Sequence, residues 1–184
     1  MKKISLFLLV AFLTTLTLSS FISLVPTQQH TITEEVEYDT INYDATVISG
    51  VKLGGNYGLL LDKLGSPDSV RKEETPDAQS SDHFEVYIYG RDSFYVMDDV
   101  VSGFELKSPT FQIDNLSALK VGDNISKIKK MFPKSYKNRD IDEFNPAWVT
   151  ISVQFGTSDS FLEIYLENAK VKSITTVTDD AEEE

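Results

Sequence analysis

Cysteine is absent from this chain of 184 residues. That excludes disulfides, thiolate metal sites, thiol nucleophiles and lipid attachment at an N-terminal cysteine. Histidine occurs only twice. His30 lies in a polar stretch without a sustained apolar pattern, and His83 opens a strand beside Asp82, so neither belongs to a legible catalytic or metal set. No G-x-S-x-G occurs, "VSG" at Val101–Gly103 being a fragment of one, and "LGGNYG" lacks the lysine and hydroxyl residue of a phosphate-binding loop. Basic side chains are in deficit: 17 against 29 acidic ones give a net charge of −12. A polyanion is repelled at long range, and no basic cluster with interleaved aromatics offsets this, so no nucleic-acid partner is expected.

What is present is a globular composition, 41% hydrophobic and 11% aromatic, long enough to bury a core. "MKK" precedes an uncharged run, Ile4–Val25. Positive start then apolar run is the order of a signal peptide, and the run is also long enough for a retained membrane anchor. In either case the remainder is expected to be exported, periplasmic or extracellular, and the lysine-rich start is bacterial in style. Residues 1–25 form this targeting segment, 26–40 a linker, and 179–184 ("DDAEEE") an acidic, frayed tail.

Between them the chain repeats itself. "KLGGNYGLLLDKL" (Lys52–Leu64) aligns without a gap on "KVGDNISKIKKMF" (Lys120–Phe132), a shift of 68. Tyr57, Leu60 and Leu64 match Ile125, Ile128 and Phe132, one face of a helix. Asn56 and Asn124 stand at the N-cap, while Gly65–Pro67 and Pro133 end the two helices. "HFEVYIYG" (His83–Gly90) and "WVTISVQFG" (Trp148–Gly156) alternate with period two, the pattern of half-buried strands. The phrases "YGRDSF" (Tyr89–Phe94) and "FGTSDSF" (Phe155–Phe161) then become hairpin turns leading to "SFYVMD" and "SFLEIYLE". A further N-terminal strand is expected at Ile41–Ser49. The predicted fold class is α+β: two tandem units, 41–113 and 114–178, each a helix followed by a three-stranded antiparallel meander. A single unit has a thin core, and packing the two together, for instance as one continuous sheet, would remedy this.

The capped helix start, "LGSPDSV" after the first helix and the Y-x-Y-G hairpin resemble the SmpA/OmlA (BamE-like) fold. The doubled arrangement, over about Lys52–Ile174, resembles the β-lactamase inhibitory protein-like family. This resemblance implies a secreted, non-enzymatic module that presents an open sheet face to a partner. The chain departs from both patterns in having neither the lipidated cysteine of the first nor the disulfides of the second.

The candidate site follows from the alternation. If Phe84, Val86, Ile88, Phe94 and Val96 face the helix, then Tyr87, Tyr89, Tyr95 and Met97 share the other face, with Phe161 and Tyr165 on the second unit. Tyrosine buries much area while keeping a polar handle, which suits a recognition surface. Cross-strand tyrosine pairs that only stabilise the sheet are the alternative. Glu85, Glu163 and Glu167 would favour basic groups on a protein partner. No cofactor, metal or catalytic residue is expected. The carboxylates of "NRDIDEFN" (Asn138–Asn145) read as a solvated loop without calcium-site spacing. The leading expectation is an exported non-enzymatic protein-binding module, inhibitor-like or envelope-associated. The alternatives are an anchored envelope assembly protein, touching membrane only through its N-terminal segment, and a carboxylate-dependent hydrolase, whose residue pair is defined in space rather than sequence.

Overall fold

The structure is a computed structural model that describes residues 36–73 and 84–178. The targeting segment, His30, His83 and the acidic tail lie outside the described residues. Strands form where the alternation places them: β5 (Phe84–Tyr89), β6 (Asp92–Met97), β9 (Trp148–Phe155) and β10 (Ser160–Glu167). The third strand expected after each hairpin forms as β7 (Val100–Leu106) and β11 (Lys170–Thr178). Short strands at the edges are β1 (Thr40–Ile41), β4 (Ser69–Glu73) and β8 (Asp140–Ile141). A separate two-stranded ribbon pairs β2 (Val47–Ile48) with β3 (Val51–Lys52).

The predicted pair of tandem helix-plus-meander units is not what forms. The described chain is mostly β: nine strands join one mixed sheet, in the order β1-β9-β10-β11-β7-β6-β5-β4 with β8 also on β9. Only three short helices accompany it among the described residues: α1 (Tyr57–Leu64), α2 (Ile125–Met131) and α3 (Pro133–Lys137). Two physical reasons explain the difference. Strand edges recruit any chain that can satisfy their backbone groups. Thus "SVRKE" pairs antiparallel with β5, and residues 40–41 pair parallel with β9. The helices are kept short by Gly65, at φ 80°, and by Pro133, which begins a new helix instead of only ending the old one.

Each of the two longer helices starts on a tight turn of the sheet. The Asn56 side chain accepts from Gly58 N at 2.8 Å, and Tyr57 N donates to Asp99 O at 2.9 Å. The Asn124 side chain accepts from Ser126 N at 2.9 Å, and Ile125 N donates to Ala169 O at 2.9 Å. Helix α3 has no side-chain cap of its own. Asp39 supplies one from the distant N-terminal arm: its carboxylate accepts from Ser135 N at 2.9 Å, while Asp39 N donates to the buried Ser135 hydroxyl at 3.0 Å.

One core serves the whole sheet. Phe94, Phe104, Leu106, Ile151, Leu162, Ile164 and Ile174 from the sheet join Leu60 and Ile128 from the helices, Ile48 from the ribbon, and Leu53, Ile113 and Leu119 from the connections. The two halves meet where β7 pairs with β11 at Leu106–Ile174 and Glu105–Thr175. Beyond those pairs hydroxyls extend the ladder: Phe104 N donates to Thr176 Oγ1 at 3.0 Å, and Thr175 Oγ1 donates to Phe104 O at 3.2 Å. Gly103 permits this approach, since a Cβ there would lie 2.4 Å from Thr176 Oγ1 and 3.1 Å from the Tyr95 ring.

Candidate functional site: the open sheet face

The ladder registers decide which side chains look away from the core. Across β5 and β6, Tyr87 pairs with Phe94, Val86 with Tyr95 and Phe84 with Met97. Cross-strand partners share a face. Tyr95 and Met97 therefore lie with Phe84, Val86 and Ile88 on the open side, whereas Tyr87 and Tyr89 lie with Phe94 and Val96 on the core side. The six residues singled out from the sequence do not form one surface. In the second half Phe161 and Tyr165 alternate with buried Leu162, Ile164 and Leu166. They stand with Thr150, Ser152 and Gln154 of β9 and with Ser173, Thr175 and Val177 of β11. Tyr95, Met97, Phe161 and Tyr165 thus share the open face of one continuous sheet.

Tyr87 and Tyr89 work in the core. Tyr87 is 7% exposed, its ring 6.1 Å from that of Tyr57, and its hydroxyl donates to Glu85 Oε2 at 3.0 Å. Burial first, then that hydrogen bond and the Glu85 charge, push its phenol up to about 12. Tyr89 packs edge-on against Phe94 and Phe111 and donates to Gly65 O at 3.0 Å, fastening the end of α1 to the sheet.

On the open face, Phe84 stacks on Tyr95 with ring centroids 5.9 Å apart, and the Tyr95 ring covers Gly103, a cross-strand arrangement that shields a glycine. Met97 is 43% and Trp148 39% exposed. The sequence reading missed several members of this surface. Trp148 faces outward on β9, opposite Glu167. On the loop before β9, Phe144 is 95% exposed, and Asp142 stiffens that loop: its Oδ1 accepts from Phe144 N at 2.9 Å and Asn145 N at 2.7 Å. That is how the "NRDIDEFN" carboxylates are used: Asp142 bends the loop. Among the described residues no group of three or more His, Cys, Asp or Glu side chains converges as a metal site. Tyr38, which the sequence placed in a linker, meets Phe161 edge to face at 5.2 Å. Alternation within β10 signalled Phe161 and Tyr165; nothing local to Tyr38 signals a ring contact across 123 positions.

Charges on this face are sparse and mostly paired. Glu105 meets Lys107 at 2.7 Å, and Glu167 meets Lys172 at 2.7 Å, whose hydrogen bond and charge hold the Glu167 carboxyl below its ordinary range. Glu163 faces Ser152 and Thr175, and burial raises its carboxyl above the ordinary range. The arrangement offers aromatic and thioether surface, backbone-anchored hydroxyls and a half-buried carboxylate, which are the elements of a recognition surface.

No protein-family model matches this sequence, and no curated protein matches it. The SmpA/OmlA resemblance thus gains no family assignment. Among solved structures, one from Streptococcus mutans described as a "putative beta-lactamase inhibitor protein" is similar at 12% identity and a TM-score of 0.30. The similarity covers 76% of this chain and 90% of that one. At that score it carries no argument about fold or function.

Proposed function

We propose that this chain is an exported protein-binding module without enzymatic activity of its own, and that it docks its partner on the open sheet face. One observation carries the reading. The helices and the connection through Phe111, Ile113 and Leu119 join the core cluster on one side of the sheet, while Tyr95, Met97, Phe161, Tyr165 and Trp148 lie on the other, half-buried or exposed. Aromatic side chains held on rigid strands favour association, because little conformational freedom is lost when they are covered. Export rests on the charge-then-apolar order of residues 1–25. The reading agrees with the inhibitory role named for the Streptococcus mutans protein and takes no support from it.

Affinity capture from the extracytoplasmic fraction of the native host tests the binding face. Wild type and Tyr89→Phe, which keeps the core ring, are expected to retain the same partner equally. A Phe161→Ser/Tyr165→Ser double variant is expected to lose retention by about tenfold or more. Equal retention by the double variant, with its fold intact by circular dichroism, contradicts the proposal.

A further inference from the structure

On the open face of the second half, Tyr38, Ser152, Phe161, Glu163, Val177 and Thr178 line a shallow depression of about 310 Å³. That volume lies at the small end of ligand pockets, roughly 300–1,000 Å³, and suits a side chain better than a cofactor. The Tyr38 and Phe161 rings meet at 71°, so their π faces point in different directions around the hollow. Glu163 stands beside them, and the residues opposite it on the neighbouring strands are the neutral Ser152 and Thr175. Along its own strand, Phe161 and Tyr165 are the same-face neighbours. Among the described residues no ion pair engages its carboxylate, the five pairs that form using other acids.

The class of occupant follows from these neighbours. A partly desolvated carboxylate without a counter-charge is costly, and an apolar occupant would complete its desolvation. An anion would be repelled. A cation would neutralise the carboxylate and would also be drawn to the ring faces. Guanidinium fits better than ammonium: it is planar, more weakly hydrated, able to bond a carboxylate through two N–H groups and able to stack on aromatic rings.

We infer that this depression is the receptor for an arginine side chain presented by the partner. The inference rests on the protein-binding reading above and adds to it the chemistry of one contact. Raised by burial, the Glu163 carboxyl has in the free protein the unsatisfied character that such a contact would relieve.

Isotope-labelled full-length protein titrated with N-acetyl-arginine amide tests it. Saturable shifts are expected at the backbone amides of Ser152, Phe161, Glu163 and Val177. The neutral citrulline analogue should bind about tenfold more weakly or worse, and Glu163→Gln should weaken arginine binding by a similar factor. Phe161→Leu, which keeps an apolar wall but removes the ring, should cost a few-fold. Equal binding of citrulline, undiminished binding by Glu163→Gln, or shifts confined to other residues overturns the inference. The two proposals fail separately. Arginine shifts at these amides, with partner capture indifferent to Phe161 and Tyr165, would leave the site and remove the docking role. Capture that depends on Phe161 and Tyr165 but not on Glu163 would leave the docking role and remove the arginine site.

Discussion

The two hairpins β5–β6 and β9–β10 are written in nearly the same words and built differently. In the first, Tyr89 pairs with Asp92 across a two-residue loop whose first member, Gly90, has φ 64°, the glycine-first form of a hairpin turn. Asp92 is then 1% exposed and accepts from Lys107 N at 2.7 Å and Ser108 N at 2.8 Å, and also from the Ser108 hydroxyl. In the second, four residues separate Phe155 from Ser160, and Asp159 among them is exposed. One aspartate closes the exit of β7 from inside the fold and the other is solvated. The lesson is that a shared phrase specifies a bend, while loop length and register decide what its side chains do.

Removing the two aspartates separates these roles with the largest expected effect. Asp92→Ala empties a buried carboxylate site and takes the partner from two part-buried backbone donors, and is expected to cost about 3 kcal/mol of unfolding free energy. Asp159→Ala should change it by less than about 0.5 kcal/mol. Equal effects in urea unfolding would erase the distinction.

The same difference explains how much was legible. Period-two alternation located the hairpins β5–β6 and β9–β10, and asparagine before an apolar helical face located both N-caps, because these signals are local. Register is not local. In β5 both sides of the strand carry large side chains, Phe84–Val86–Ile88 on one and Glu85–Tyr87–Tyr89 on the other, and the wholly apolar side was expected to face inward. The two-residue loop settled it by pairing Tyr87 with Phe94. Only half of the first-unit candidates, Tyr95 and Met97, therefore reached the open face. In β10 the choice was plain, since Leu162, Ile164 and Leu166 leave Phe161, Glu163 and Tyr165 outside. Tyr38 and Asp39 were illegible for another reason: the arm that bears them is placed by distant partners, Phe161 and Ser135.

The seam between the halves gives the next effect. Gly103→Ala would drive a Cβ into Thr176 and the Tyr95 ring and is expected to cost about 2 kcal/mol. Amide exchange should rise first at Phe104 and Thr175, and slow, unchanged exchange there would show that the halves need no close approach.

A smaller effect sharpens the comparison at the turns that receive α1 and α2. Asp98 and Asp99 have φ 49° and 64°, and Asn168 and Ala169 have φ 52° and 60°. Alanine tolerates this region less well than aspartate. Ala169→Gly is expected to gain about 1 kcal/mol and Asp99→Gly less, measured by thermal unfolding.

The smallest effect concerns Glu163. Its folded carboxyl is raised, so its contribution to stability is full below the unfolded carboxylate pKa and is lost as pH rises through the folded value. Glu163→Gln should therefore raise the melting temperature slightly near neutral pH and leave it unchanged at about pH 3, below the ordinary carboxylate pKa. A loss of stability at neutral pH would mean that the carboxylate has a stabilising partner.

One side of the sheet holds the core, and the other is the side proposed to dock a partner. Site-specific photo-cross-linking tests it most directly, with the photoreactive residue placed in turn at Ser93 and Ser152 on the open face and at Ser126 on α2. A cross-linked species of the same mass is expected from Ser93 and Ser152 in the native host, and none from Ser126. Cross-linking from Ser126 alone, or equally from all three positions, would contradict it.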